Sequence, residues 1–117
     1  MKIQTRVKGY RESKEINEYA ERRLLFSLSR FSNRIESVTI RLEDINGPRG
    51  GVDQQCTLSI RFKQGGQLRV ESMETDWRNA IDLAADRIGR SVARHIESQR
   101  AFRFQSGMVL REGEVAP

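Results

Sequence analysis

Residues 56–71 read CTLSIRFKQGGQLRVE. Cys56, Leu58, Ile60 and Phe62 alternate with Thr57, Ser59, Arg61 and Lys63. That is the period of a strand with one buried face. Leu68 and Val70 then alternate with Gln67, Arg69 and Glu71. Between the two runs, Gly65-Gly66 is a dipeptide suited to a tight hairpin turn. Two antiparallel strands, each apolar on one side only, need a second layer to cover that side.

Upstream, Val38, Ile40 and Leu42 alternate with Thr39, Arg41 and Glu43, so Ile35–Glu43 reads as a further one-faced strand. At the start of the chain Ile3, Thr5 and Val7 share one face, and Lys2, Gln4, Arg6 and Lys8 share the other. Gly9 ends this strand, and Ser13 is placed to cap a helix. Ile16, Ala20, Leu24, Leu28 and Phe31 follow at helical spacing, with Tyr19 and Ser27 completing the stripe and Asn33 as a stop. Downstream, Asp76 can cap a second helix to about Gln99 whose stripe is Trp77, Ile81, Ala84, Ala85, Ile88, Val92 and Ile96. The order is β-α-β-β-β-α. The expected fold is α+β, a two-layer sandwich with two helices packed on one face of a four-stranded sheet. It occupies residues 1–100, and 101–117 read as a C-terminal tail of uncertain order.

The composition fits one domain. The chain has 117 residues, 21 basic and 16 acidic, for a net charge of +5. No run approaches the length of a membrane span, and the opening Met1–Thr5 has no apolar signal-peptide core. A single cysteine cannot pair within the chain. These features set a cytoplasmic protein as the expectation.

Net charge alone says little; its placement says more. Seventeen of the basic residues are Arg and four are Lys. The guanidinium fork suits phosphate and base edges, although codon usage can also enrich Arg. Residues 1–11 carry Lys2, Arg6, Lys8 and Arg11 and no acid. Residues 12–21 carry four Glu against Lys14, and 22–34 carry Arg22, Arg23, Arg30 and Arg34 and no acid.

Two basic surfaces follow. The open sheet face would carry Lys2, Arg6, Lys8, Arg41, Arg61, Lys63 and Arg69 against Glu43 and Glu71. It lacks the aromatic platforms of sheets that read single-stranded RNA. The helices offer the second surface. Arg87, Arg90 and Arg94 share one side of the second helix, and Arg22, Phe26 and Arg30 form a line on the first with Arg23 beside it. Dipole matching explains bases in a last helical turn. It covers Arg30 and, at the expected end of the second helix, Arg94; it does not cover Arg22, Arg23, Arg87 or Arg90. Asp86 is also spaced to pair with Arg90.

Other motifs read as structural. Asn46–Gly51, with Arg49, could offer backbone N–H groups and a charge to a phosphate, but turn chemistry explains the glycines as well. It lacks the lysine and fixed spacing of a P-loop. His95 is the only histidine and has no evident partners for catalysis or zinc, and Cys56 falls on an inward phase. Asp82 and Asp86 lie one turn apart among arginines, which argues against an acid pair. No enzyme, metal, cofactor or small-molecule substrate is expected.

The second helix opens Thr75-Asp76-Trp77-Arg78-Asn79-Ala80-Ile81-Asp82, continues Ala85-Asp86-Arg87-Ile88, and then carries Arg90 and Arg94. With the order of elements over residues 1–100, this resembles the ribosome hibernation-promoting factor and ribosome-associated inhibitor (sigma-54 modulation) family, short form. The resemblance implies binding in the mRNA and tRNA cleft of the small ribosomal subunit. It implies arrest of translation in stress, with Lys and Arg on rRNA phosphates. By position it implies roles for Lys8, Arg23, Arg87, Arg90 and Arg94, and the acid-free block adds Arg22 and Arg30. A different function stays open: a regulatory protein-interaction module of the same fold, suggested by Phe26 among arginines and by the glycine loop. A generic single-stranded RNA binder is a third, weaker reading.

Overall fold

The computed structural model describes residues 1–45 and 53–111, with side chains as far as residue 100. The elements are β1 (Lys2–Lys8), α1 (Ser13–Leu28), a one-turn 3-10 helix (Ser29–Phe31), β2 (Ile35–Asp44), β3 (Gln54–Phe62), β4 (Gln67–Glu74) and α2 (Trp77–Arg111). This is the expected β-α-β-β-β-α order. The strands lie in sequence order, with β1 parallel to β2 and the other neighbours antiparallel. The parallel pair follows from the α1 crossover, because a helix carries the chain back to start a strand in the same direction.

One face of the sheet meets both helices. Ile16, Ala20, Leu24 and Leu28 of α1 are buried against Val38, Ile40 and Leu42 of β2 and Cys56, Leu58, Ile60 and Phe62 of β3. Ala80, Ile81, Ala84, Ile88, Val92 and Ile96 of α2 complete the cluster. Alanines where α2 crosses the sheet let the backbones approach closely. Ser72 of β4 donates a 2.6 Å hydrogen bond to the Ala80 carbonyl, tying the start of α2 to the sheet.

Local chemistry shifts several expected boundaries. Ser13 does not cap α1: Glu12 holds the N-cap position without a side-chain hydrogen bond. Asp76 does act at the other helix, where its carboxylate accepts from the Arg78 N–H at 3.4 Å. Ile35 is fully buried although strict alternation with Val38 would turn it outward; a register shift between Ile35 and Ser37 reverses the phase. α2 continues beyond Gln99 to Arg111. The apolar stripe marks where α2 meets the core, whereas the backbone continues through proline-free sequence.

The hairpin is also longer than a two-glycine turn. The Gly65 N–H donates to the Phe62 carbonyl and the Phe62 N–H donates to the Gly66 carbonyl, each at 3.1 Å. Lys63 and Gln64 thus occupy the turn with φ below zero, and Gly65 closes it at φ +96°. This is the three-residue loop with a left-handed closing residue. Lys63 therefore lies in the turn and not on the strand face where alternation placed it.

Two of the conspicuous single residues are structural. His95 stacks on Phe62 with ring centroids 4.5 Å apart. Cys56 is fully buried, and burial pushes its thiol up to about 12. At about pH 8 almost no thiolate exists in the native state, so a thiol reagent should label Cys56 only through global unfolding. Rapid labelling of the native protein would contradict that burial.

The glycines make a second prediction. A Cβ at Gly65 meets nothing within 4 Å, so Gly65→Ala is opposed only by its positive φ and should destabilise by about 1 kcal/mol. A Cβ at Gly89, inside α2, meets Ser27 at ordinary contact distances of 3.7 and 3.8 Å. Gly89→Ala should therefore stabilise by about 0.5–1 kcal/mol. Urea unfolding of both variants would show the opposite signs.

Candidate nucleic-acid interface

The two helices run parallel, and their facing side chains keep a constant register. Arg78 pairs with Glu15 at 3.0 Å. Tyr19 donates to Asp82 at 2.5 Å. Arg23 pairs with Asp86 at 2.6 Å. Each of these pairs spans 63 residues, so one turn on α1 matches one turn on α2. The rungs on α1 are Glu15, Tyr19 and Arg23, four residues apart, which is one face of a helix.

Arg23 is the centre of this ladder. Its Nε lies 3.1 Å from Asp82, and its two Nη atoms reach Ser27 at 2.8 Å and Asp86 at 2.6 Å. Its side chain is only 21% exposed. Burial lowers the Arg23 pKa, but the hydrogen bonds and charges of Asp86 and Asp82 outweigh burial and hold it above its ordinary value. Burial, and then the Asp82 hydrogen bond, likewise raise Tyr19. Tyr19 also meets Trp77 edge-on at 5.6 Å, and the Arg78 guanidinium lies over both rings.

The ladder has a consequence for charge. Asp86, spaced on the sequence to pair with Arg90, reaches across to Arg23 instead. At the next rung Ser27 stands where an acid would be. Arg90 then has no ion pair among the described residues, and neither has Arg30. Both line a hollow of about 250 Å³ between the helices, floored by Gly89 and Ala93. A second hollow of about 350 Å³ continues from it, lined by Arg30, Arg34 and Arg100 with Glu97 as its acid. The guanidinium of Arg30 lies 4.6 Å from the Phe31 ring centroid. The arrangement is an open groove lined by Arg30, Arg34, Arg90 and Arg100 against Asp86, which Arg23 engages, and Glu97.

The remaining candidates distribute as follows. Arg22 is exposed on the outer line of α1, and Arg94 is exposed on α2. Since α2 runs to Arg111, Arg94 lies well inside the helix, and a terminal dipole no longer explains it. Arg87 turns toward β4 and donates to the Glu71 carbonyl at 2.6 Å. Lys8 lies on the open sheet face, 3.6 Å from Glu43. Arg49 and the Asn46–Gly51 loop lie outside the described residues. Periodicity missed Arg100 because the core stripe fades there; it also missed the shared register, which no local pattern contains.

The open sheet face is the competing surface. Arg6 stands directly beside Arg41 in the β1–β2 register, with Thr57 and Glu71 completing the row. A depression of about 450 Å³ on this face is lined by Lys2, Glu36, Arg61, Ile60 and polar uncharged residues. Two of the cations are partnered: Lys8 by Glu43, and Arg69 by Glu71 at 2.9 Å.

A family model described as sigma 54 modulation protein / S30EA ribosomal protein matches residues 3–100. The chain belongs to that family. The resemblance carried by Thr75–Arg94 and by the order of elements is thus borne out, and membership places the chain among ribosome-associated factors. Comparison with solved structures supports the fold. The N-terminal domain of protein Y from Thermus thermophilus superposes with a TM-score of 0.65 at 24% identity, over 81% of this chain and 99% of that one. A ribosomal subunit interface protein from Coxiella burnetii gives a TM-score of 0.59 at 16% identity, over 83% of this chain and 99% of that one. A search of curated proteins finds no significant match.

The shared register can be tested at its central rung, Arg23. Arg23→Met leaves Asp82 and Asp86 facing each other without their cation. It should destabilise by about 1–2 kcal/mol, since charged hydrogen bonds are lost at a partly solvated site. Arg23→Lys keeps the charge without the fork and should fall between. Adding Asp86→Asn to Arg23→Met should recover part of the loss in a double-mutant cycle read by urea unfolding.

Proposed function

We propose that this protein is a hibernation-type translation inhibitor. It binds the small ribosomal subunit by laying the open end of the interhelical groove on rRNA phosphates, in the cleft where mRNA and tRNA bind. The reading makes it a cytoplasmic protein. One observation carries the reading: Asp82 and Asp86 are tied to Arg23. Arg30 and Arg90 are left without an ion pair among the described residues, in a groove open to solvent. A cation whose neighbouring carboxylate, Asp86, is already engaged by Arg23 is free to neutralise an external phosphate. Family membership supports the ribosome as the source of that phosphate.

Arg22 and Arg94 extend the same basic layer on either helix. Arg23 enters the reading differently: it sets the spacing of the helices and does not itself reach RNA. Arg87, drawn to the Glu71 carbonyl, contributes less than Arg90.

Co-sedimentation with purified small subunits tests this directly. Binding should fall steeply between about 50 and 200 mM salt, because each phosphate contact releases counterions. Charge reversal at Arg30 and Arg90 should weaken binding more, and flatten its salt dependence more, than reversal at Arg41 and Arg69. The opposite ranking would move the interface to the sheet face. Failure of the wild-type protein to sediment with subunits at either salt would remove the proposal.

A further inference from the structure

Phe26 is 83% exposed, well beyond any other large hydrophobic residue among the described side chains. A lone surface phenylalanine is ordinary, so its surroundings decide whether it means anything. The other aromatic side chains described here are all engaged. Tyr10, Tyr19, Phe31 and Trp77 pack against the core, and Phe62 is part of it. Among the described side chains Phe26 alone has its aromatic ring largely in solvent.

The ring also has a fixed cation beside it. The Arg23 guanidinium lies 5.7 Å from its centroid, and that guanidinium is fixed by Ser27, Asp82 and Asp86. The cation is therefore a rigid support for the ring and not a mobile neighbour. Phe26 stands one helical turn after the exposed Arg22 on α1, and the exposed Arg30 follows it in the 3-10 turn that ends the helix. Arg30 is in turn shared with the groove that holds Arg90.

We infer that Phe26 is a stacking platform for an unpaired nucleobase, with Arg22 and Arg30 engaging the phosphates on either side of that nucleotide. The inference rests on the ribosomal reading above and makes it more specific: the outer side of α1, joined to the groove through Arg30, takes a single-stranded stretch of RNA. An aromatic face flanked by cations is the arrangement that binds single strands, since every base offers a π-face and every linkage a charge. Charge complementarity favours this occupant over an apolar protein surface. A protein seated on Phe26 would have to bury Arg22 and Arg30 beside it, with acids of its own to match.

Because the side chain is exposed, its variants should fold as the wild type does, which circular dichroism would verify. Affinities of wild type, Phe26→Ala, Phe26→Leu and Phe26→Trp are then measured on a short single-stranded RNA oligomer and on purified small subunits across a salt series. Stacking predicts that the Ala and Leu variants both lose about 5- to 100-fold, while Trp binds at least as well as Phe. The salt slope should be unchanged, because no phosphate contact is removed. Equal affinity of all four proteins on both probes would overturn the stacking role. So would a Leu variant that binds like wild type while Ala does not, since that pattern marks an apolar contact with a ribosomal protein. The two readings separate cleanly. Wild-type binding to subunits with no effect at Phe26 leaves the phosphate interface standing without the platform. Phe26-dependent binding to the oligomer without binding to subunits keeps the platform and removes the ribosome.

Discussion

The parallel register of the two helices depends on one guanidinium. Arg23 reaches Asp82, Asp86 and Ser27 at once, and only a planar fork can satisfy three acceptors at those spacings. Hydrophobic burial brings α1 and α2 onto the same face of the sheet, but burial is non-directional and would tolerate sliding. The ladder from Glu15–Arg78 through Tyr19–Asp82 to Arg23–Asp86 selects one register. Edge-on packing of Tyr19 against Trp77 adds an aromatic constraint at the same interface.

The same ladder sorts the charge. Glu15, at the start of α1, is matched there by Arg78. Acids of α2 at the middle rungs are taken by Arg23. Beyond Ser27 Glu97 is the one acid lining the groove, and Arg30 and Arg90 have no ion pair among the described residues. A net charge of +5 thus becomes a strongly basic end on an otherwise balanced helix pair. The sheet face is basic as well, but its cations are spread over four strands, and Lys8 and Arg69 are partnered in place. Exposed pairs of that kind contribute little to stability. They do lower the free charge that the face can offer to RNA.

Much of the fold was legible in the sequence because its strands are one-faced. Period-two alternation in Ile3–Val7, Val38–Leu42, Cys56–Phe62 and Leu68–Val70, with two 3.6-period stripes, leaves a two-layer sandwich as the natural arrangement. Where the reading departed from the structure, local pattern had been asked to report something non-local. Ile35 is buried through a bulge that shifts the phase by one residue. Lys63 leaves the strand because a three-residue turn replaces the two-glycine one. The end of α2 is invisible to a stripe that records contact with the core. The candidate arginines were also visible as acid-free blocks, but their roles were not. Arg23 and Arg90 look alike as basic residues on helices; one is enclosed by two carboxylates and the other is open.

The sequence by itself determined the element order, the core stripes, the blocked distribution of charge and the family motif at Thr75–Asp82. These are properties of residues near one another along the chain, where side-chain period and helical spacing act. Only the tertiary structure decided which acid meets which base. Asp86 stands four residues from Arg90 and 63 from Arg23, and it pairs with the distant one. Packing had already brought Arg23 into a partly buried position, where an unmatched charge costs far more than at the exposed Arg90.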